Sequence, residues 1–154
     1  MIQWEDIDAR YFEKFIFHFL KELGFKNRKW YGRGGGDKGR DVTAQWIEQL
    51  PFEMSYERKW IFQCKRWKKM PSSSQILKEI STAVQHQPDH WVMVLPLDPT
   101  ANVMDYLAKL EKNFNFKLSI IPKAQLEEIL FQYPYLINVL KEGHLPEGSE
   151  EDEA

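Results

Sequence analysis

Trp60-Ile61-Phe62-Gln63-Cys64-Lys65-Arg66-Trp67 decides how this chain is read, because it has the form of an apolar strand running into a polar site. Side chains alternate across a strand, so Gln63 and Lys65 project from one face, roughly 6–7 Å apart along the chain. Upstream, Gly34-Gly35-Gly36-Asp37-Lys38-Gly39-Arg40-Asp41-Val42 is a glycine-rich turn that runs into an aspartate at the start of another alternating segment. With those strands side by side, Asp41, Gln63 and Lys65 converge on one point. A carboxylate, an amide oxygen and an ammonium around one spot suit a divalent cation and a phosphodiester.

Working outward, residues 5 to 23 predict a helix, with Phe12, Phe15, Ile16, Phe19, Leu20 and Leu23 at three-and-four spacing and Gly24 as the stop. Residues 25 to 31, 42 to 47 and 60 to 67 predict three strands, the last two joined by a longer loop containing Pro51. Pro71 and the serines after it break the chain and cap a helix marked by Ile76, Leu77, Ile80, Ala83 and Val84, which ends near Pro88. A strand over residues 91 to 95 follows, then a helix capped by Thr100 and carrying Val103, Met104, Leu107 and Leu110. Residues 116 to 121 predict a further strand, and residues 126 to 130 and 135 to 140 two short helices separated at Pro134. This order calls for an α/β fold, a mixed central sheet with helices on both faces. Residues 1–142 form one expected domain; residues 143–154, rich in Gly, Pro and Glu, are expected to be a disordered acidic tail.

The 154 residues, 43% hydrophobic and 14% aromatic, can bury a core without a disulfide or a structural metal. Cys64 is the only cysteine, which excludes an internal disulfide and a multi-cysteine zinc site and fits a reducing compartment. On its strand it reads as a small buried hydrophobe. No run of about 18 apolar residues occurs, and the first residues lack the basic and apolar regions of a signal peptide, so no membrane partner and a cytoplasmic location are expected.

Charge is distributed unevenly. Residues 147 to 154 hold five acids and no base, and removing those five from the net charge of −2 leaves +3 on the body. Residues 26 to 69 hold twelve bases against five acids, a balance of +7. The natural partner of such a segment is a polyanion, with double-stranded DNA foremost. Arg33, Lys38 and Arg40 in the turn, and Arg66, Lys68 and Lys69 after the strand, offer phosphate contacts.

Phosphodiester hydrolysis needs charge neutralised on the phosphoryl oxygens and a hydroxide-like nucleophile, both of which Mg²⁺ or Mn²⁺ supplies. Asp41 is the first expected ligand, with the Gln63 amide oxygen and the Cys64 backbone carbonyl beside it. Lys65 would hold the attacking water and stabilise charge on phosphorus, with Asp41 or the phosphate as the anionic partner of its amine. Glu13 shares a face of the first helix with Ile16, Phe17 and Leu20 and is a weaker candidate ligand; pairing with Arg10 or Lys14 is its alternative role.

Phe12-Glu13, Gly39-Arg40-Asp41 and Gln63-Cys64-Lys65, in this order, resemble the PD-(D/E)xK superfamily of restriction-endonuclease-like nucleases, and within it the Mrr-like branch. The resemblance covers residues 7 to 95 and implies a core of helix, three strands, helix and strand. It implies a metal-dependent DNA endonuclease, acting in restriction of foreign or modified DNA, with Asp41, Gln63 and Lys65 as the catalytic and metal-binding set and Glu13 assisting. Two departures stand out: no proline precedes Asp41, and Gln63 replaces the usual acid.

Other readings stay open. A module of the same fold could bind nucleic acid without cutting it, or the chain could serve a defence or repair complex through its acidic tail as a docking point for a partner protein. Double-strand cleavage by one small active site calls for two copies, so a homodimer is an expected state. Gly34, Gly36 and Gly39 match a dinucleotide-binding pattern, but the following segment alternates as a strand, and the helix such a site needs is missing. His86 and His90 are separated by Pro88, which breaks the helix that would align them on a zinc ion.

Overall fold

The structure, a computed structural model, describes residues 2–32 and 40–148. Helix α1 spans Ala9–Leu23, after a short 3-10 turn at Trp4–Asp6. The Asp8 carboxylate caps it, accepting from the backbone N–H groups of Arg10 at 2.8 Å and Tyr11 at 3.3 Å. Gly24 ends it at φ +96°, a left-handed conformation that favours glycine. Phe12, Phe15, Ile16, Phe19 and Leu20 form the buried stripe that the spacing implied.

Strands β1 (Lys26–Trp30), β2 (Val42–Leu50) and β3 (Met54–Cys64) form an antiparallel meander. Helix α2 (Ser73–Ala83) then leads to β4 (His90–Val94), and α3 (Ala101–Glu111) to β5 (Lys117–Ile121). Both later strands run parallel, β4 to β3 and β5 to β4, giving a mixed sheet in the order β1-β2-β3-β4-β5. Helices α4 (Lys123–Gln132) and α5 (Ile137–Glu142) close the chain.

Alternation along the strands divides the core in two. Val42, Ala44, Phe62, Val92 and Val94 pack with α1, α4 and α5, whereas Ile61, Trp91, Met93, Leu95 and Leu118 pack with α2 and α3. Helices therefore cover both faces, as the order of elements required.

The structure corrects three expectations about element limits. The loop expected around Pro51 is a tight turn: Leu50 pairs with Met54, and the bend passes through Phe52 and Glu53 at φ +64° and +61°. The strand start was hidden because β1 pairs with β2 only at residues 42–45 and β4 pairs with β3 only from Trp60. Residues 46–59 thus form a projecting ribbon without the burial pattern of a sheet interior. At its other end β3 stops at Cys64 instead of running to Trp67. In α2 the buried stripe is Ile76, Ile80 and Ala83, while Leu77 and Val84 are exposed.

Gly143 to Gly148 continue past α5: Leu145 is buried, and the Lys14 ammonium donates to the Gly143 carbonyl at 2.9 Å. The rest of the acidic tail, residues 149–154, lies outside the described residues.

Candidate active site

Asp41 stands immediately before β2, clamped by its own backbone. Its N–H donates to the Phe62 carbonyl at 3.2 Å, and its carbonyl accepts from the Tyr31 N–H at 2.9 Å. These bonds tie it to β3 on one side and to the end of β1 on the other, so the aspartate has little freedom. It is only 4% exposed. Its Oδ2 accepts from the backbone N–H of Cys64 at 2.6 Å. A charge-assisted bond of this kind contributes about 1.5–3 kcal/mol. The carboxylate is thereby fixed against β3, between the two residues whose side chains the sequence pointed toward it.

Gln63 is 2% exposed, and its Oε1 has no hydrogen-bond partner among the described residues. Leaving such an acceptor unsatisfied costs about 1–3 kcal/mol, a cost that a bound cation or water would remove. Alternation puts Gln63 on the side of Ile61, the face covered by α2 and α3.

Lys65 continues along that line, its backbone N–H donating to the Val94 carbonyl at 2.9 Å. Its ammonium was expected to pair with Asp41 or with phosphate. In the structure its partner is Glu79 of α2, with Nζ to Oε2 at 3.2 Å, and it also lies 5.8 Å over the Trp67 ring. Glu79 escaped the sequence reading, yet a signal existed: it sits three residues after Ile76 and beside Ile80, inside the stripe that α2 turns toward the sheet.

Glu13 lies on the α1 side. Its Oε1 accepts from the Trp30 indole N–H at 3.0 Å, a partner that neither sequence alternative named, and the Lys14 ammonium sits 5.1 Å over the same indole. Glu13 therefore approaches from the face opposite Gln63 and Lys65.

Of the residues expected to contact phosphate, Arg33 and Lys38 lie outside the described residues. Arg40 stacks its guanidinium 4.2 Å over Tyr31, with its buried Nε lacking a partner among the described residues. Arg66 Nη1 donates to the Ile7 carbonyl and, at 3.4 Å, to that of Glu5, so one of its nitrogens anchors the segment before α1. Lys68 and Lys69 are exposed. Beside them a cavity of about 310 Å³, lined by Arg66, Trp67, Lys68 and Lys123 among others, opens past the end of β3.

The donor set suits a hard divalent cation. Among the described residues no cluster of three or more His, Cys, Asp or Glu side chains could hold a metal ion. What Asp41, Gln63 and the Cys64 carbonyl offer is one carboxylate and neutral oxygens, and Mg²⁺ is commonly held by one or two carboxylates with waters completing its shell. The orphaned Gln63 oxygen is the observation that fits such an ion. Among the described residues no helix is long and apolar enough to cross a membrane.

Comparison with known proteins bears on the family and the fold. The family model Mrr_cat, described as a restriction endonuclease, matches residues 4–130. The restriction endonuclease MspJI, solved in complex with a 27-mer oligonucleotide, aligns with a TM-score of 0.56 at 14% identity, over 86% of this chain and 32% of that one. The DNA modification-dependent restriction endonuclease AspBHI aligns with a TM-score of 0.57 at 12% identity, over 81% of this chain and 31% of that one. This chain thus spans about a third of the length of each. No curated protein matches it.

Proposed function

This chain belongs to the Mrr_cat family of restriction endonucleases, and we propose that it hydrolyses phosphodiester bonds of double-stranded DNA with Mg²⁺ or Mn²⁺ at Asp41, Gln63 and Lys65. The observation that carries this reading is the 2.6 Å bond from Cys64 N–H to Asp41 Oδ2, with the unsatisfied oxygen of Gln63 on the adjoining residue.

Asp41, Gln63 Oε1 and the Cys64 carbonyl are the residues that would hold the metal. A divalent ion supplies charge neutralisation on the phosphate and a water acidified toward hydroxide. Asp41 sets the position of the site, since its main chain is tied to β1 and β3 and its carboxylate to Cys64. Lys65 offers three N–H donors, one directed at Glu79, which leaves others for the attacking water and a phosphoryl oxygen. Glu13, which the resemblance had as an assisting residue, is held by Trp30 on the α1 side and has no part in this arrangement. Lys68 and Lys69, together with the basic residues Arg33, Lys38 and Arg40, bind the DNA backbone.

The biological role proposed is restriction of foreign DNA, modified DNA included, in the cytoplasm, by a homodimer that brings one active site to each strand. The experiment is plasmid cleavage with purified protein. Nicking with Mg²⁺ or Mn²⁺ that disappears in both Asp41→Ala and Lys65→Ala, with folding retained, supports the reading; cleavage by both variants at the unmodified rate refutes the roles. The neutral Gln63 favours one second reading, a module that binds DNA without cutting it. Salt-dependent retardation of DNA with no nicking in either metal would establish that alternative.

A further inference from the structure

Lys65 directly follows β3, and the residues two and four positions before it, Gln63 and Ile61, are buried, so a charge there needs a counter-charge. Glu79 provides it. The pair closes at 3.2 Å with side chains only 26% and 18% exposed, so solvent screens it less than a surface pair. Both ends are held. Lys65 is tied to β4 through the Val94 carbonyl, and α2 is fixed by a capping box in which Ser72 and Gln75 satisfy each other's backbone N–H groups. Ile76 and Ile80, on either side of Glu79, are fully buried against the sheet.

We propose that Glu79 is a positioning residue for the hydrolysis: its carboxylate fixes the Lys65 ammonium beside the Asp41–Gln63 site and restores nearby the negative charge that Gln63 lacks. The inference rests on the hydrolase reading above. Glu79 acts through Lys65, whose ammonium its carboxylate meets at 3.2 Å. An ammonium has three donors. With one directed at Glu79 and the Trp67 ring on its flank, the remaining two acquire a fixed direction. Without the carboxylate the flexible lysine stem samples several directions, and misplacement of a catalytic group by about 1 Å can cost on the order of a hundredfold in rate.

The test is steady-state plasmid cleavage by Glu79→Gln and Glu79→Asp, with thermal melts to confirm folding. Expected is a kcat lowered about ten- to a hundredfold in Glu79→Gln and less in Glu79→Asp, which keeps the charge. The KM for DNA and the half-saturating Mg²⁺ concentration stay as in the unmodified protein. An unchanged kcat in Glu79→Gln overturns the proposal, as does a tenfold or larger rise in the Mg²⁺ requirement, which would make Glu79 a ligand. A measurement on the unmodified protein stands independently: the ¹⁵N side-chain resonance of Lys65 should report a restrained ammonium, and mobility equal to that of Lys68 refutes the inference. Failure of the unmodified protein to cut in any metal overturns the hydrolase reading and the positioning role together, whereas cleavage by a protein whose Lys65 is as mobile as Lys68 overturns the positioning role alone.

Discussion

Replacing Gln63 with glutamate asks whether its oxygen faces a cation. The two side chains have the same shape, so at a position 2% exposed the substitution changes charge with little change in packing. With a metal bound, the added carboxylate attracts a divalent ion. Two unit charges 4 Å apart attract by about 4 kcal/mol at an effective dielectric constant near 20, and a dication doubles this to about 8. Repulsion from Asp41, about 4 kcal/mol on the same scale, and the desolvation of a buried carboxylate are present with and without the ion, so they lower stability and not affinity. The waters around the ion screen part of this attraction and the amide-oxygen ligand is given up, so the gain in affinity is at least about 1.4 kcal/mol, a tenfold tighter Kd. Without metal only the unfavourable terms remain. A loss of about 4 kcal/mol lowers Tm by roughly 8–16 °C for a domain of this size. Titration calorimetry with Mn²⁺ and melts with and without Mn²⁺ read both effects. A Gln63→Glu protein that binds Mn²⁺ no more tightly than the original, and whose Tm ignores the metal, refutes the assignment of Gln63 as a ligand.

Lys68→Ala with Lys69→Ala should weaken DNA binding at low salt and reduce the slope of log K against log salt by about two; fluorescence anisotropy measures it, and an unchanged slope removes both lysines from the interface. Burial, and then the nearby positive charge of Arg58, hold His90 below its ordinary value of 6.5, while its ring stacks 3.9 Å from that of Trp60. The unfolded chain therefore takes up the proton more readily. The contribution of His90 is fully present above pH 6.5 and is lost as pH falls through the lower folded value. Tm should drop as the pH falls from 6.5 toward the lower folded value, and His90→Gln should flatten the drop; an equal pH dependence in both proteins would contradict this. Gly24→Ala meets only ordinary contact, with Trp46 3.9 Å from the added carbon, so its cost is the backbone at φ +96°. That is about 1 kcal/mol, or a Tm lower by roughly 2–4 °C, and calorimetry showing no loss would exclude it.

Periodicity and punctuation carried most of the fold. The phenylalanine stripe of α1, the stop at Gly24, the cap at Thr100 and the buried run at Trp91 are local features, and local physics sets them. The same holds for Gln63 and Lys65, whose shared face follows from the two-residue repeat of a strand. The ribbon at residues 46–59 was not legible, because a strand without sheet neighbours carries no burial pattern.

By itself the sequence determined the class of elements, their order and the residue types available for phosphodiester chemistry, since each depends on neighbours a few positions apart. Only the tertiary structure decided the partners. It set the Asp41 carboxylate on the Cys64 N–H, left Gln63 Oε1 without a donor, gave the Lys65 ammonium to Glu79 and bound Glu13 to Trp30. Those pairings span 14 to 23 residues of chain where they are made, and they depend on strand register and on where α1 and α2 dock. Register and docking are settled by burying both faces of the sheet together, which no local window of sequence encodes.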